Sequence, residues 1–485
     1  MKKAIIAICA FLMWPAAALA QKDTLVLGVT LEPPHLDPTA GAAAAIDEVV
    51  YANVFEGLTR IGETGAIEPQ LATSWDISAD GLVYTFNLKS GVKFHDGTDL
   101  SAEDVVFSFD RARAPDSTNA QKGLFAAIDK VEAVDPTTVR VTLSRPEGAL
   151  LFNLGWGDAV IVGPESAADN KANPIGTGPF KFVRWVKGDR VELVRNDDRA
   201  KLAAVTIKFI SDPSAQVAAL LAGDIDGLPN TAAPESLIQF QNDDRFEVVV
   251  GSTEGETILS TNNKRPPFDD VRVRRAIAHA LDRQAIVDGA MFGHGTPIGS
   301  HFAPHHPANV DLTGLYPRDP AKAKALLAEA GYPNGFQATL KLPPPSYARR
   351  GGEIIAAQLK EVGIELELIP VEWAQWLEQV FRGYDYDLTI VSHTEPMDIG
   401  IYARDKYYFQ YESGAFRAVM AELDRTADQE ARYALFGKAQ RILADEAVNG
   451  FLFQLAKHGV WNKDVVGLWH NSPVQANDVT GVYWR

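Results

Sequence analysis

Apolar and polar residues alternate in several short stretches of the chain, which is the pattern of a β-strand with one buried face. The clearest stretches are Thr24–Val29, Val83–Leu88 and Thr138–Leu143. In the second of these, Tyr84 and Phe86 fall on the same face. These stretches therefore predict strands that pack one side against a hydrophobic core.

In the second half of the chain, predicted strands alternate with amphipathic helices. Phe336–Leu342, Ile364–Ile369 and Asp387–Val391 have strand patterns. A helix that starts at Asp319-Pro320 and ends at Gly331 combines proline in its first turn with glycine just past its end. Alternation of this kind with short connections predicts an α/β layer architecture.

Other segments give more specific expectations. A helix of small residues is predicted from about Ala42 to Phe55. A second helix is predicted from Glu372 to Phe381. Thr257–Asn262 is predicted to be an extended segment that crosses into a second lobe. Phe451–Leu455 and Val460–Trp461 are predicted to be two separate strands.

Size and charge limit the classes of protein to consider. A chain of 485 residues is long enough for two or three domains. Its hydrophobic content of 46% and charged content of 22% are those of a globular protein. The formal net charge of −17, spread without a long acidic block, argues against nucleic acid or an anionic membrane as partner.

The N-terminus has the features of an export signal. In Met1–Ala20, a charged start at Lys2 precedes the apolar run Ala4–Trp14 and a small-residue cleavage site. Cleavage is predicted before Gln21, and the apolar run is too short for a lasting membrane anchor. The only cysteine, Cys9, would be removed with the signal, so no disulfide or thiolate site is predicted. These features together predict a soluble periplasmic protein.

Several short motifs occur in a fixed order along the mature chain. They are Leu71-Ala-Thr-Ser-Trp75, Gly91-Val-Lys-Phe-His-Asp-Gly97, Gly176-Thr-Gly-Pro-Phe180, Pro267–Ile277 and Asp319–Pro333. Each is a weak signal alone. In this order and at these distances they resemble the extracellular solute-binding proteins, family 5, of peptide, oligopeptide and nickel ABC importers.

The resemblance implies an α/β fold: a two-lobed periplasmic binding protein of type II, in the large cluster with an extra α+β subdomain inserted in the first lobe. Lobe I would comprise residues 21–59, 174–262 and 464–485, the insertion residues 60–173, and lobe II residues 263–463. Such a protein, a monomer without a cofactor, would capture a small solute by hinge closure and deliver it to an inner-membrane ABC permease. A short peptide or another compound with an amino group is the expected ligand; the alternative is a non-peptide ligand such as an opine, a sugar, an aromatic acid or chelated nickel.

The resemblance also indicates candidate site residues. In relatives that bind peptides, the loop after the strand corresponding to Asp387–Val391 presents an acid to the ligand's amino group. Glu395 and Asp398 are the candidates, since a carboxylate and an ammonium form a strong charge-assisted bond; both could instead be solvated loop residues. Arg404 could bind a carboxylate or pair with a neighbouring aspartate. The predicted ligand-binding residues are His35, His393, Glu395, Asp398, Tyr402 and Arg404.

One departure from the family pattern concerns the ligand's carboxylate. Dipeptide-binding relatives have an arginine shortly before the helix that begins here near Tyr347, where this chain reads Leu342-Pro-Pro-Pro-Ser346. Either Arg404 or Arg349 takes its place, or the ligand is not a plain dipeptide.

Two other classes of function are less well supported by the sequence. His301, His305 and His306 could bind a metal with His393, but the prolines at 304 and 307 prevent helical metal-ligand spacing, so no metal site is predicted. The chain has no G-x-S-x-G, H-E-x-x-H or phosphate-loop motif, and no enzymatic activity is predicted.

Overall fold

The computed structural model describes residues 22–41, 43–231, 234–395 and 397–485, so the predicted export signal and its cleavage site lie outside the described residues. One mixed sheet of eleven strands runs through the molecule. Across the sheet the strands are Ile364–Pro370, Phe336–Leu342, Leu388–His393, Phe246–Thr261, Asn449–Asn462, Gly227–Leu228, Thr24–Val29, Ala204–Phe209, Arg190–Arg195 and Phe180–Val186, and Thr296–Pro297 pairs with Asn449–Asn462.

Two long antiparallel strands in the middle of this sheet connect its two halves. Phe246–Thr261 has 16 residues and Asn449–Asn462 has 14. At one end they adjoin the half that contains the N-terminal strand, and at the other end Phe246–Thr261 pairs with Leu388–His393. Their register is interrupted between Ser252 and Glu256, where the ladder passes from one half to the other.

The prediction of separate strands at Phe451–Leu455 and Val460–Trp461 is wrong. The residues between them stay paired, with Lys457 opposite Gly251 and His458 opposite Val250. Polar residues at 457 and 458 interrupt the apolar pattern, although the backbone remains in the ladder. The predicted crossing segment Thr257–Asn262 is correct in kind but is only the end of a much longer strand.

The half of the sheet that contains the N-terminus follows the sequence patterns closely. Thr24–Val29 pairs in parallel with Ala204–Phe209, and Phe180–Val186 forms a hairpin with Arg190–Arg195. Helix Pro213–Ala222 is capped where the Asp212 side chain accepts a hydrogen bond from the Ala215 amide, and it ends at a glycine of positive φ. Helix Ala44–Val50 is shorter than the predicted 42–55 helix.

A second sheet and a helix form a separate hydrophobic core. Its four antiparallel strands are, in order, Ala72–Ile77, Val83–Leu88, Thr138–Leu143 and Ile128–Asp135. Helix Ala102–Arg113 packs on them and begins with a capping box of Ser101 and Asp104. The buried apolar residues of this core run from Leu58 to Ile161. This α+β unit agrees with the predicted inserted subdomain; its boundaries at 60 and 173 stay predictions.

The other half of the large sheet is covered by helices. They are Val271–Ala280, Arg283–Met291, Pro320–Glu329, Ser346–Lys360, Trp373–Trp376, Gly414–Leu423 and Gln429–Asp445. The helix predicted over 372–381 is one α-helical turn that continues as the π-helical segment Leu377–Arg382. Two hydrophobic clusters pack on this half, one of them rich in tyrosine and phenylalanine.

Shorter elements complete the fold. They are helices Leu150–Asn153 and Leu237–Gln241, the pair Thr59–Ile61 with Ile67–Pro69, and the pair Val465–Val466 with Tyr483–Trp484. Across the ranges that the structure describes, no helix has the length and apolarity needed to cross a bilayer.

Candidate ligand-binding cleft

Two neighbouring cavities share Thr394 and Gln475 as walls. The first, of about 500 Å³, is called here the acidic chamber; its wall includes Asp47, Phe152, Trp156, Asp158, Glu395 and Met397. The second, of about 290 Å³, is called the lysine chamber; its wall includes Glu48, Asn230, Glu254, Lys457, Ser472 and Asn477. Both chambers are thus lined by residues from opposite halves of the molecule, as a cleft between lobes would be.

Two aspartates form one wall of the acidic chamber. Asp47 belongs to helix Ala44–Val50, and Asp158 directly follows Gly157. The Asp47 carboxylate packs against Gly157, where there is no room for a side chain, because a Cβ there would lie 2.2 Å from Asp47 Oδ1. Asp158 is only 6% exposed. Among the described residues, neither Asp47 Oδ1 nor Asp158 Oδ1 has a hydrogen-bond partner.

The surroundings of these two acids disfavour their charged forms. Burial raises the pKa of Asp158 to about 7. Burial, together with repulsion from Asp158, raises the pKa of Asp47 well above its usual value. A bound cation would relieve both penalties, so this wall is suited to a positively charged group.

Aromatic side chains form the adjoining wall. Phe152, in helix Leu150–Asn153, meets Trp156 edge to face with 6.1 Å between ring centroids. Phe152 is buried and Trp156 is half-buried. These rings offer apolar contact beside the acids, a combination that suits a ligand with a charged end and an apolar body.

Glu395 reaches the acidic chamber from the opposite side, as the ligand-loop prediction requires. It follows strand Leu388–His393, is exposed, and accepts a hydrogen bond from the Thr394 amide at 3.2 Å. Its neighbour Pro396 lies outside the described residues. Contact between Glu395 and a ligand stays a prediction that this position supports.

Asp398 lies instead in a buried ionic cluster centred on His301. The two ring nitrogens of His301 face different acids, with Nδ1 2.7 Å from Glu256 Oε1 and Nε2 2.9 Å from Asp398 Oδ1. His393 Nδ1 is 3.8 Å from Asp398 Oδ2, and its Nε2 is 2.9 Å from the Tyr408 hydroxyl. The cluster therefore ties the long strand that carries Glu256 to the loop that carries Asp398.

The pKa shifts of the cluster follow from this pairing. Burial opposes the charged form of His301, but the two acids outweigh it and raise the pKa of His301 to about 10. Burial likewise opposes ionisation of Asp398, but His301 outweighs it and lowers the pKa of Asp398. Burial raises the pKa of Glu256 to about 7. His301 is thus an imidazolium at neutral pH and holds Asp398 as a carboxylate.

Two sets of side chains bring donor atoms close enough for one metal ion, within 4.8 Å. In Glu256, His301 and Asp398, the two ring nitrogens of His301 already lie 2.7 Å and 2.9 Å from the two acids, so the imidazolium occupies the place of a cation between them. In His393, Glu395 and Asp398, the donors converge near the acidic chamber, and this set has the residue types for a transition metal.

The other predicted ligand residues lie outside both chamber walls. Tyr402 is 1% exposed and stacks on Phe409 with centroids 4.7 Å apart. Arg404 is exposed, 5.3 Å above the Tyr407 ring. His35 is half-buried against Gly41, which does line the acidic chamber, and burial lowers the pKa of His35. Ligand contact by these residues stays a prediction.

The three histidines considered for a metal point in different directions. His305 Nε2 is 2.7 Å from Glu254 and its Nδ1 is 2.6 Å from the Ser252 hydroxyl. His306 stacks on Phe302 at 4.9 Å, and burial lowers its pKa to about 3. His301 and His306 both pack against Phe302, but the polar partners of His301 and His305 are different acids.

Sequence reasoning missed Asp47, Asp158 and Lys457. A signal existed for the first, because Asp47 and Glu48 interrupt the otherwise apolar stretch 43–50. Asp158, in the loop segment Gly155-Trp-Gly-Asp158, and Lys457, in an interrupted strand pattern, had no recognisable signal.

The family model for bacterial extracellular solute-binding proteins, family 5, matches residues 66–410. The chain therefore belongs to this family, and it is a substrate-binding protein of an ABC importer. The family and fold expected from the motifs are thus confirmed.

Individual relatives bind different solutes. The chain is 30% identical over 433 residues to heme-binding protein A of Haemophilus influenzae, covering 79% of this chain and 78% of that protein. It is 32% identical over 375 residues to the glutathione-binding protein GsiB of Pectobacterium atrosepticum, covering 74% of this chain and 71% of that protein. The structure of HbpA2 from Haemophilus parasuis superposes with a TM-score of 0.87 at 27% identity, covering 95% of this chain and 100% of that one.

Proposed function

We propose that the cleft captures a small solute with a free amino group, such as a short peptide or a peptide-like compound. The unpaired acids of the acidic chamber carry this proposal. Asp47 and Asp158 are held close together without a cation, and Glu395 faces them from the second lobe. An ammonium group would stabilise all three carboxylates through charge-assisted hydrogen bonds.

One of the two curated relatives named above supports a peptide-like ligand. Glutathione, the solute named for GsiB, is a peptide with a free ammonium group. Receptor affinity near micromolar requires only about −8 kcal/mol. One desolvated ammonium–carboxylate contact and burial against Phe152 and Trp156 are of the right order to provide this.

The position of the acids also accounts for closure. A ligand that contacts Asp158 in the first lobe and Glu395 in the second makes more contacts when the lobes are close together. It therefore stabilises the closed form relative to the open form. The hinge would lie at the interrupted register between Ser252 and Glu256.

We further propose that residues 1–20 direct export to the periplasm and are removed before Gln21. The mature protein would act as a monomer that docks on an inner-membrane ABC permease. Lobe I would comprise residues 21–59, 174–262 and 464–485, and lobe II residues 263–463.

A chelated metal is the second candidate ligand. The convergence of His393, Glu395 and Asp398 at the edge of the acidic chamber favours it. Nickel alone and nickel with free histidine are the probes, and titration calorimetry with the His393→Ala variant would measure the site.

Binding of the amino group can be tested with matched peptides. The mature chain, unfolded and refolded to remove bound solute, is exposed to a pool of tripeptides and to the same pool acetylated at the amino end. Native mass spectrometry identifies the binder, and calorimetry measures it. We expect acetylation to abolish binding and Asp158→Asn to weaken it about tenfold or more.

Asp129→Asn is the matched control, because Asp129 is an exposed acid of the same subdomain. Equal binding of the free and acetylated peptides, or no binding of either pool, would contradict the proposal.

A further inference from the structure

Lys457 occupies an unusual position for a lysine. It belongs to the long strand Asn449–Asn462, at the point where this strand passes between the two halves of the sheet. Its side chain is buried, with the residue only 3% exposed, yet it lines the lysine chamber. That chamber adjoins the acidic chamber through Thr394 and Gln475.

Lys457 forms no ion pair within the part of the chain that the structure describes, although the carboxylate of Glu63 favours its charged form electrostatically. Its ammonium donates to two backbone carbonyl oxygens, of Trp469 at 2.5 Å and of Asn471 at 3.4 Å. Lys341, another buried lysine, differs because its ammonium lies 3.4 Å from a carboxylate oxygen of Asp385. An ammonium has three N–H donors, so Lys457 keeps one for a further acceptor.

The acids of the lysine chamber do not compensate this charge. Glu254 is engaged by His305 at 2.7 Å. Burial raises the pKa of Glu48 to about 7, so this carboxyl is partly protonated at neutral pH. Burial also lowers the pKa of Lys457 to about 8, because the opposing effect of Glu63 is too small to offset the desolvation of the ammonium.

The rest of this chamber wall combines polar and apolar residues and, among those that the structure describes, adds no further charged side chain. Asn230, Thr253, Ser472 and Asn477 contribute amide and hydroxyl groups to its wall. These groups can orient a polar part of a ligand by hydrogen bonds, and Leu455 and Pro473 add apolar contact beside them. A carboxylate at Lys457 would satisfy the remaining donor and neutralise the buried charge.

We propose that Lys457 binds a carboxylate of the ligand, so that the solute is a zwitterion with its ammonium in the acidic chamber and its carboxylate in the lysine chamber. This rests on the proposed function of the acidic chamber. It gives the carboxylate a partner that the sequence left open between Arg404 and Arg349. Arg349 instead donates to Glu372 at 3.1 Å, and Arg404 lies outside both chambers.

The test compares three pools of tripeptides: one with both ends free, one amidated at the carboxyl end, and one acetylated at the amino end. Calorimetry on the wild-type chain should show that amidation weakens binding by about tenfold or more. Lys457→Gln should weaken the free acid to the level of the amide and leave the amide unchanged. Lys457→Arg should restore the preference for the acid.

Lys341→Gln is the control, since it removes another buried lysine and should not alter the ratio of acid to amide affinity. The proposal is overturned if wild-type protein binds acid and amide equally, a result that does not depend on any variant folding. It is also overturned if Lys457→Gln weakens acid and amide alike, which would make Lys457 structural.

The acetylated pool separates the two proposals. Sensitivity to acetylation without sensitivity to amidation would overturn the carboxylate site alone and leave the amino-group site intact. Sensitivity to amidation without sensitivity to acetylation would overturn the amino-group site. Failure of every pool to bind would overturn both.

Discussion

Asp398 and Asp158 are two largely buried aspartates in opposite halves of the molecule, and their environments have opposite effects. The Asp398 side chain is 13% exposed and contacts His301, which lowers its pKa against the effect of burial. Asp158 is 6% exposed and has no cationic partner within the described ranges, so burial raises its pKa to about 7.

The difference lies in pairing, since residue type and burial are similar. A buried acid that already has a cation stabilises the structure around it, here the loop that follows Leu388–His393. A buried acid without a cation costs stability and is available to a charged ligand. The family resemblance suggested Glu395 and Asp398 as candidates for the ligand's acid, and the pairing favours Glu395, together with Asp158, over Asp398.

The largest effect on stability is expected from removing His301, the cation that pairs with Asp398. His301→Ala leaves Glu256 and Asp398 buried without their shared cation. Removing one partner of a buried ion pair costs about 3–5 kcal/mol, and we expect the free energy of unfolding to fall by that amount. Urea unfolding followed by tryptophan fluorescence measures it.

His470→Ala is the control, because His470 is an exposed histidine. A loss below about 1 kcal/mol for His301→Ala, the size expected of an exposed ion pair, would show that the cluster does not act as a buried ionic network.

The lack of a cationic partner for Asp158 should affect how the stability of the protein depends on pH. The pKa of Asp158 is raised from 3.8 to about 7 in the folded state. Its contribution is therefore fully present below about pH 4 and is lost as pH rises through 7, because only the unfolded state ionises readily. Asp158→Asn should remove this loss, up to about 4 kcal/mol at about 1.4 kcal/mol per pKa unit.

The measurement is the free energy of urea unfolding of ligand-free protein between pH 4 and pH 8. The Asp158→Asn curve should be flatter than the wild-type curve, while Asp129→Asn should follow wild type. Parallel curves for wild type and Asp158→Asn would mean that Asp158 ionises normally in the fold.

A smaller effect is expected at Glu395, which belongs to the unpaired side but is exposed. Glu395→Gln should weaken binding of an amine-bearing ligand by up to about fivefold, since exposed ion pairs contribute about 0.2–1 kcal/mol. Asp405→Asn, an exposed acid further along the same segment, should leave the affinity unchanged. Calorimetry measures both affinities. Equal ligand affinities of Glu395→Gln and Asp405→Asn would argue against contact between Glu395 and the ligand.

The smallest effect is expected at Arg404. Its guanidinium lies over Tyr407, an exposed contact that contributes about 0.5–1 kcal/mol. Arg404→Ala should lower the melting temperature slightly and leave ligand affinity nearly unchanged. A large loss of affinity would show that Arg404 moves into the cleft when the lobes close.

Local patterns in the sequence were sufficient for most elements and for the family. Alternation predicted Thr24–Val29, Val83–Leu88 and Phe336–Leu342 with the bounds that the structure has. Asp319-Pro320 marked the start of helix Pro320–Glu329, because a cap depends on a few neighbouring residues. The ordered motifs implied the two-lobed fold, since they extend over most of the chain.

The cleft required the tertiary structure. Asp47, Asp158 and Glu395 meet only because residues far apart in sequence fold onto one cavity. Lys457 lies where polar residues interrupt a strand pattern, and only its pairing with Gly251 shows that the strand continues past the chamber. Pairing and burial set the charge of each acid, and both depend on distant neighbours. Sequence therefore predicted the class of protein, and tertiary contacts decided which acids remain free for a ligand.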